Sequence, residues 1–125
     1  MYNIEKSPLR IKSVAFAARI TKMVDYLQKK SSKKNGSIYN QVLRSGTSIM
    51  ANISESQFAQ SRADFITKLH IALKEANENN NWLILLCHDG ELTEQQFLSI
   101  HGDCNEIIAM LVSSLKTSKK NNEAS

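Results

Sequence analysis

Apolar side chains return at intervals of three and four in four separate stretches of this chain, with one proline and four glycines to interrupt them. An amphipathic helix repeats this way, because its 3.6-residue turn lines such positions along one face. Leu9, Phe16, Ile20, Met23 and Leu27 form the first stripe, widened by Val14, Ala17 and Val24. Ile38, Val42, Gly46, Ile49 and Ile53 form the second. The third runs through Phe65, Leu69, Ala72, Ala76, Leu83 and Leu86 or Cys87, and the fourth through Phe97, Ile100, Cys104, Ile107, Leu111 and Leu115. The expectation is an all-α chain with helices at about 9–32, 37–57, 62–88 and 94–117 and no strand.

Local signals punctuate the stripes. Pro8 suits a first helical turn, and Asn35-Gly36 offers a left-handed stop after the first helix. Ser37 is placed to cap the second helix. Ser61 with Asp64, and Thr93 with Gln96, read as capping boxes, and Asp89-Gly90 closes the third helix. Such short connections force antiparallel neighbours, so the fold class is an up-down-up-down four-helix bundle spanning residues 1–117. Residues 118–125 read as a frayed polar tail. Antiparallel packing about the second turn sets Arg44 level with Glu75.

Function classes fall away quickly. The longest apolar run, Trp82 to Cys87, is far short of the roughly 20 residues of a membrane span. The start of the chain lacks a signal-peptide layout, so a cytoplasmic protein with reduced Cys87 and Cys104 is expected. No Glu-x-x-His pair precedes His70, His88 or His101, and Cys87 and Cys104 fall on different levels, so no metal site is expected. Neither a glycine-flanked serine nor a Gly-rich phosphate loop occurs. No catalytic residue and no cofactor are assigned.

Charge remains. Sixteen basic residues against twelve acidic ones give a net +4. The antiparallel topology gathers Lys6, Arg10, Lys12, Arg62, Lys116, Lys119 and Lys120 at one end, among Glu5, Glu55 and Asp64. Clustered cations displace counterions from a phosphate backbone, so Arg10, Lys12, Arg62 and Lys116 are the candidate RNA or DNA contacts. Tyr2, Tyr26 and Tyr39 are too scattered to make a stacking platform. In the third helix, Asn77-Glu78-Asn79-Asn80-Asn81 interrupts a seam that should be apolar. Asn80, near the level of His101, needs a hydrogen-bond partner, and a subunit interface would supply one.

Two segments carry a family resemblance: Gln41 to Glu55 (QVLRSGTSIMANISE) and Lys68 to Glu78 (KLHIALKEANE), with Trp82-Leu83 after them. Over roughly residues 9–117 the chain resembles the four-helix-bundle proteins encoded in 23S rRNA intervening sequences, often labelled the S23 ribosomal protein family. Arg44, Ser48, Asn52 and Glu55 match the first motif, and Lys74, Glu75 and Glu78 the second. Met50 stands where a proline is common, and Ser56 where a glycine usually follows the glutamate. The resemblance implies a homo-oligomer, a pentameric ring above other states, and no enzymatic activity. It also implies a link to the accessory protein of diversity-generating retroelements, which engages nucleic acid and a reverse transcriptase. Small Ser45, Gly46, Ser48 and Ala51 fit close helix approach, giving the first motif a structural reading. Two roles stay open: an oligomeric nucleic-acid-binding accessory factor, or an oligomeric scaffold for a protein partner.

Overall fold

A computed structural model describes residues 7–30 and 35–124, with side chains placed as far as Lys120. Lys6, Glu5 and Tyr2, the residues proposed to end the first helix, and the side chains of residues 121–125 lie outside that description. Four helices follow in order: α1 (Pro8–Lys30), α2 (Gly36–Ser56), α3 (Arg62–His88) and α4 (Glu94–Ala124). Among the described residues there is no strand, and no helix is long and apolar enough to cross a membrane.

The stripes become one core. Phe16, Ile20, Val24 and Leu27 of α1 meet Val42, Ile49 and Ile53 of α2, Leu69, Leu83 and Leu86 of α3, and Ile100, Ile107 and Leu111 of α4. Each fully buried Leu or Ile contributes roughly 1.5–3 kcal/mol relative to an exposed one. Leu92, in the α3–α4 turn, closes one end of the core. Val14 falls off its stripe and faces out.

The caps divide into those that form and those that do not. Ser61 Oγ accepts from Asp64 N at 3.0 Å, and the Asp64 carboxylate accepts from Gln60 N. Thr93 and Gln96 make the reciprocal box, at 2.9 and 3.1 Å. Gly90 takes φ +77° after α3, the left-handed turn that favours glycine. Gly36 does not: it opens α2, with Asn35 in the cap position and no side-chain cap bond, so Ser37 falls inside the helix. The α4 helix also continues seven residues past its expected end. No glycine or proline stops it, and the stripe carries on to Ser118, which is buried.

Helix α2 packs most extensively on α3, and among the four main helix pairs α1 and α4 share the least contact. At Gly46, α2 lies tight against its neighbours. A Cβ there would lie 2.9 Å from Ile20 Cγ2 and 3.2 Å from Asn79 Nδ2.

Candidate functional site

Both family-motif segments lie on the α2–α3 face, and their charged side chains interlock. Arg44 Nε donates to Gln41 Oε1 at 3.0 Å, Nη1 to Glu75 Oε2 at 3.0 Å, and Nη2 to Glu78 Oε1 at 2.6 Å. Trp82 Nε1 donates to the same Glu78 oxygen at 3.3 Å. The guanidinium fork is thus engaged on all three nitrogens, a geometry lysine could not reproduce. Hydrogen bonding from Arg44 holds the Glu78 carboxyl below the usual carboxylate range, against a smaller opposing effect of desolvation. The Glu78 hydrogen bond is likewise the largest of the causes that raise Arg44.

The remaining motif residues serve local ends. Asn52 Nδ2 donates to Ser48 O and Ser48 Oγ, one turn back on the same helix. Glu55 pairs with Lys68 across the α2–α3 seam at 3.0 Å. Lys74 is exposed, with no ion-pair partner among the described residues.

Under this clamp lies a polar pocket in the core that the sequence reading did not foresee. Asn79 is fully buried, and its Nδ2 donates to Val42 O and Ser45 Oγ, both at 3.0 Å. Its Oδ1 has no hydrogen-bond partner among the described residues. A Cβ at Gly46 would lie against this same amide nitrogen, so the absence of one leaves the amide its room. The signal in the sequence is the asparagine that interrupts the apolar stripe of α3, together with small Ser45-Gly46 on the facing helix.

Asn80 has its partners within the chain rather than at a subunit interface. Its Nδ2 donates to Asn105 Oδ1 at 2.8 Å, and its Oδ1 lies 3.1 Å from His101 Nδ1. Asn105 Nδ2 sits 2.9 Å from His101 Nε2, closing a three-membered ring of hydrogen bonds between α3 and α4. Phe97 stacks on the imidazole at 4.8 Å. Asn80 is therefore satisfied within the chain and gives no separate sign of oligomerisation, while Asn79 keeps its one unpartnered oxygen.

At the basic end the four candidate contacts part company. Lys12 forms an ion pair with Glu106 across the α1–α4 seam, which offsets its charge. Arg10 is half-buried and already engaged. Arg62 and Lys116 are exposed, with no ion-pair partner among the described residues, and so are Lys119 and Lys120. Tyr39 is buried and donates to Glu91, so it cannot stack on a base.

No cluster of three or more potential metal ligands occurs among the described residues. The Cys104 thiol lies in the core against Ala76 O at 3.4 Å, and burial pushes its pKa up to about 12, far from a nucleophile's.

Comparison with known proteins agrees with this geometry. A family model described as 23S rRNA-intervening sequence protein matches residues 5–113. The chain is also similar to a crystal structure of a protein of unknown function from the S23 ribosomal protein family of Bacteroides thetaiotaomicron, with 48% sequence identity and a TM-score of 0.79. That match covers 86% of this chain and 98% of the other. No curated protein matches it.

Proposed function

The chain belongs to the 23S rRNA-intervening sequence protein family, and from that premise we propose a role without chemistry of its own: an oligomeric, cytoplasmic binding protein that holds RNA or DNA by its phosphates. The observation that carries this reading is the set of exposed cations at one end with no ion-pair partner among the described residues, Arg62 on α3 and Lys116, Lys119 and Lys120 on α4. Arg62 and Lys116 are the primary contacts. Arg10 and Lys12, already engaged, are secondary. The Arg44 clamp holds α2 to α3 and leaves few free donors for a ligand.

Oligomerisation multiplies this modest charge, with a pentamer the favoured state. Supporting it are Ile84, 49% exposed, and Leu98, 58% exposed, on the helices that flank the α3–α4 turn. Ile84 also lies beside Trp82 and Leu85 along one groove, the kind of apolar surface that another molecule can cover. Mass measurement in solution tests this directly, and a monomer at micromolar concentration refutes it.

Fluorescence anisotropy with labelled single-stranded RNA and with duplex DNA, across a salt series, tests the ligand. The logarithm of affinity should fall linearly with the logarithm of salt, by about 0.7 per neutralised phosphate on a single strand and 0.9 on duplex DNA. Replacing Arg62 and Lys116 by glutamine should weaken binding and flatten that slope. Absence of binding at low salt, or an unchanged slope in the variant, refutes the assignment.

A further inference from the structure

At the same end of the bundle a groove of about 670 Å³ opens between the start of α1, the α2–α3 turn and the later part of α4. Leu9, Phe65, Leu69 and Met110 line it with apolar surface, and Arg62 is the one charged residue among the lining residues described. The volume lies within the roughly 300–1,000 Å³ range of ligand-binding clefts. Phe58 sits on the turn between Gln57 and Ala59, two lining residues, and is 73% exposed, the most exposed large apolar side chain among those described. Ser7, Ser56, Gln57, Ser61 and Ser114 form the polar part of the lining, which holds no lysine and no acid.

Charge decides what fits. The acids nearest Arg62 in sequence are occupied: Glu55 pairs with Lys68, and Asp64 accepts from Gln60 N. An occupant that covered the groove with apolar groups alone would strip water from the Arg62 guanidinium and leave it unpaired, which is costly. A basic occupant would be repelled. A nucleic acid would satisfy the cation but has no aliphatic side chain to place against Leu9, Leu69 and Met110.

We propose that this groove docks an acidic, amphipathic segment of a partner protein. Apolar side chains from one helical face of the segment enter between Leu9, Phe65 and Met110, Phe58 closes over them, and a flanking carboxylate pairs with Arg62. Helix-in-groove recognition of this kind reads anchors at i, i+3 or i+4, and i+7. The proposal goes beyond the phosphate contacts described above and does not depend on them.

Selection from a phage-displayed library of random peptides, about a dozen residues long, tests it on the full chain. Two variants discriminate: Ser114→Trp fills the groove from α4 without changing charge, and Arg62→Glu reverses the rim charge at an exposed position. Enriched peptides should carry apolar residues at helical spacing with an excess of Asp and Glu. Each variant should weaken their binding at least about tenfold, or 1.4 kcal/mol. Single-stranded RNA should lose affinity for Arg62→Glu and keep it for Ser114→Trp. The proposal is overturned if no peptide is enriched over the Ser114→Trp protein, if the enriched peptides are net basic, or if Arg62→Glu binds them unchanged. Equal loss of RNA binding in Ser114→Trp would also overturn it and give the groove to nucleic acid. Should Ser114→Trp lose its helical circular dichroism, Arg62→Glu decides alone, since it changes an exposed side chain.

Discussion

The α2–α3 seam and the α1–α4 seam do different work in one bundle. Across the first, a glycine lets two backbones approach, a buried asparagine donates to the neighbouring helix, and an arginine fork grips two glutamates. Across the second, long side chains span a looser gap: Lys12 to Glu106, and Arg19 to Asp103 and Ser99. A groove lined by Ile11, Phe16 and Ile107 runs beside those pairs. Close packing makes the first seam intolerant of added volume. Solvent screening makes the second seam's ion pairs nearly neutral for stability. The seam with the strongest sequence signature is thus the one that holds the fold, while the cations without an ion-pair partner among the described residues lie away from the Arg44 clamp.

The largest effect should come from Gly46→Val. Its Cβ would press on fully buried Ile20 and on Asn79, so unfolding by denaturant should show a loss of roughly 1–3 kcal/mol or more. Gly102 is the contrast, because nothing lies within 4 Å of a Cβ there and the residue is exposed inside α4. Gly102→Ala should stabilise the protein by about 0.8–1 kcal/mol, the helix propensity difference. A Gly46→Val protein as stable as the native one would dissolve the claim that the α2–α3 seam is closed to added volume.

Arg44→Ala comes next, with a cost of about 1 kcal/mol at pH 7 given that Arg44 is 47% exposed. Glu78 adds a pH signature. Its folded pKa is lowered, so its contribution is present above the unfolded value of about 4.3 and is lost as pH falls through the folded one. The difference between native protein and Arg44→Ala should therefore shrink below about pH 4. A double-mutant cycle of Arg44→Ala with Glu78→Ala measures the coupling, and strict additivity would show that the clamp is decorative. The smallest effect should be Lys12→Ala, within about 0.5 kcal/mol by the same unfolding measurement, and weaker still at high salt.

Much of this architecture was legible because helices advertise themselves through spacing. The α3 boundaries, Arg62 and His88, follow from a Ser-x-x-Asp opening and an Asp-Gly close. Level matching across the second turn likewise set Arg44 beside Glu75. Other features need a third dimension. Asn79 and Asn80 read as a break in the stripe, and whether a buried amide finds a partner depends on a carbonyl in another helix or on side chains such as Asn105. Lys12 read as a free cation because its neutralising partner, Glu106, is distant in sequence. The end of α4 was misjudged because its polar residues lack a stop signal, and a buried Ser118 is weak evidence of a stripe. The groove at the basic end is invisible in any single helix, since α1, the α2–α3 turn, α3 and α4 build it jointly.

Hydrogen–deuterium exchange with and without a saturating single-stranded RNA tests the functional assignment most directly, because it shows where the ligand sits. Phosphates held by Arg62 and Lys116 should slow exchange at the start of α3 and along the later turns of α4, leaving the Arg44–Glu78 face of α2 and α3 unchanged. Protection centred on that face, or none at either place, would contradict it.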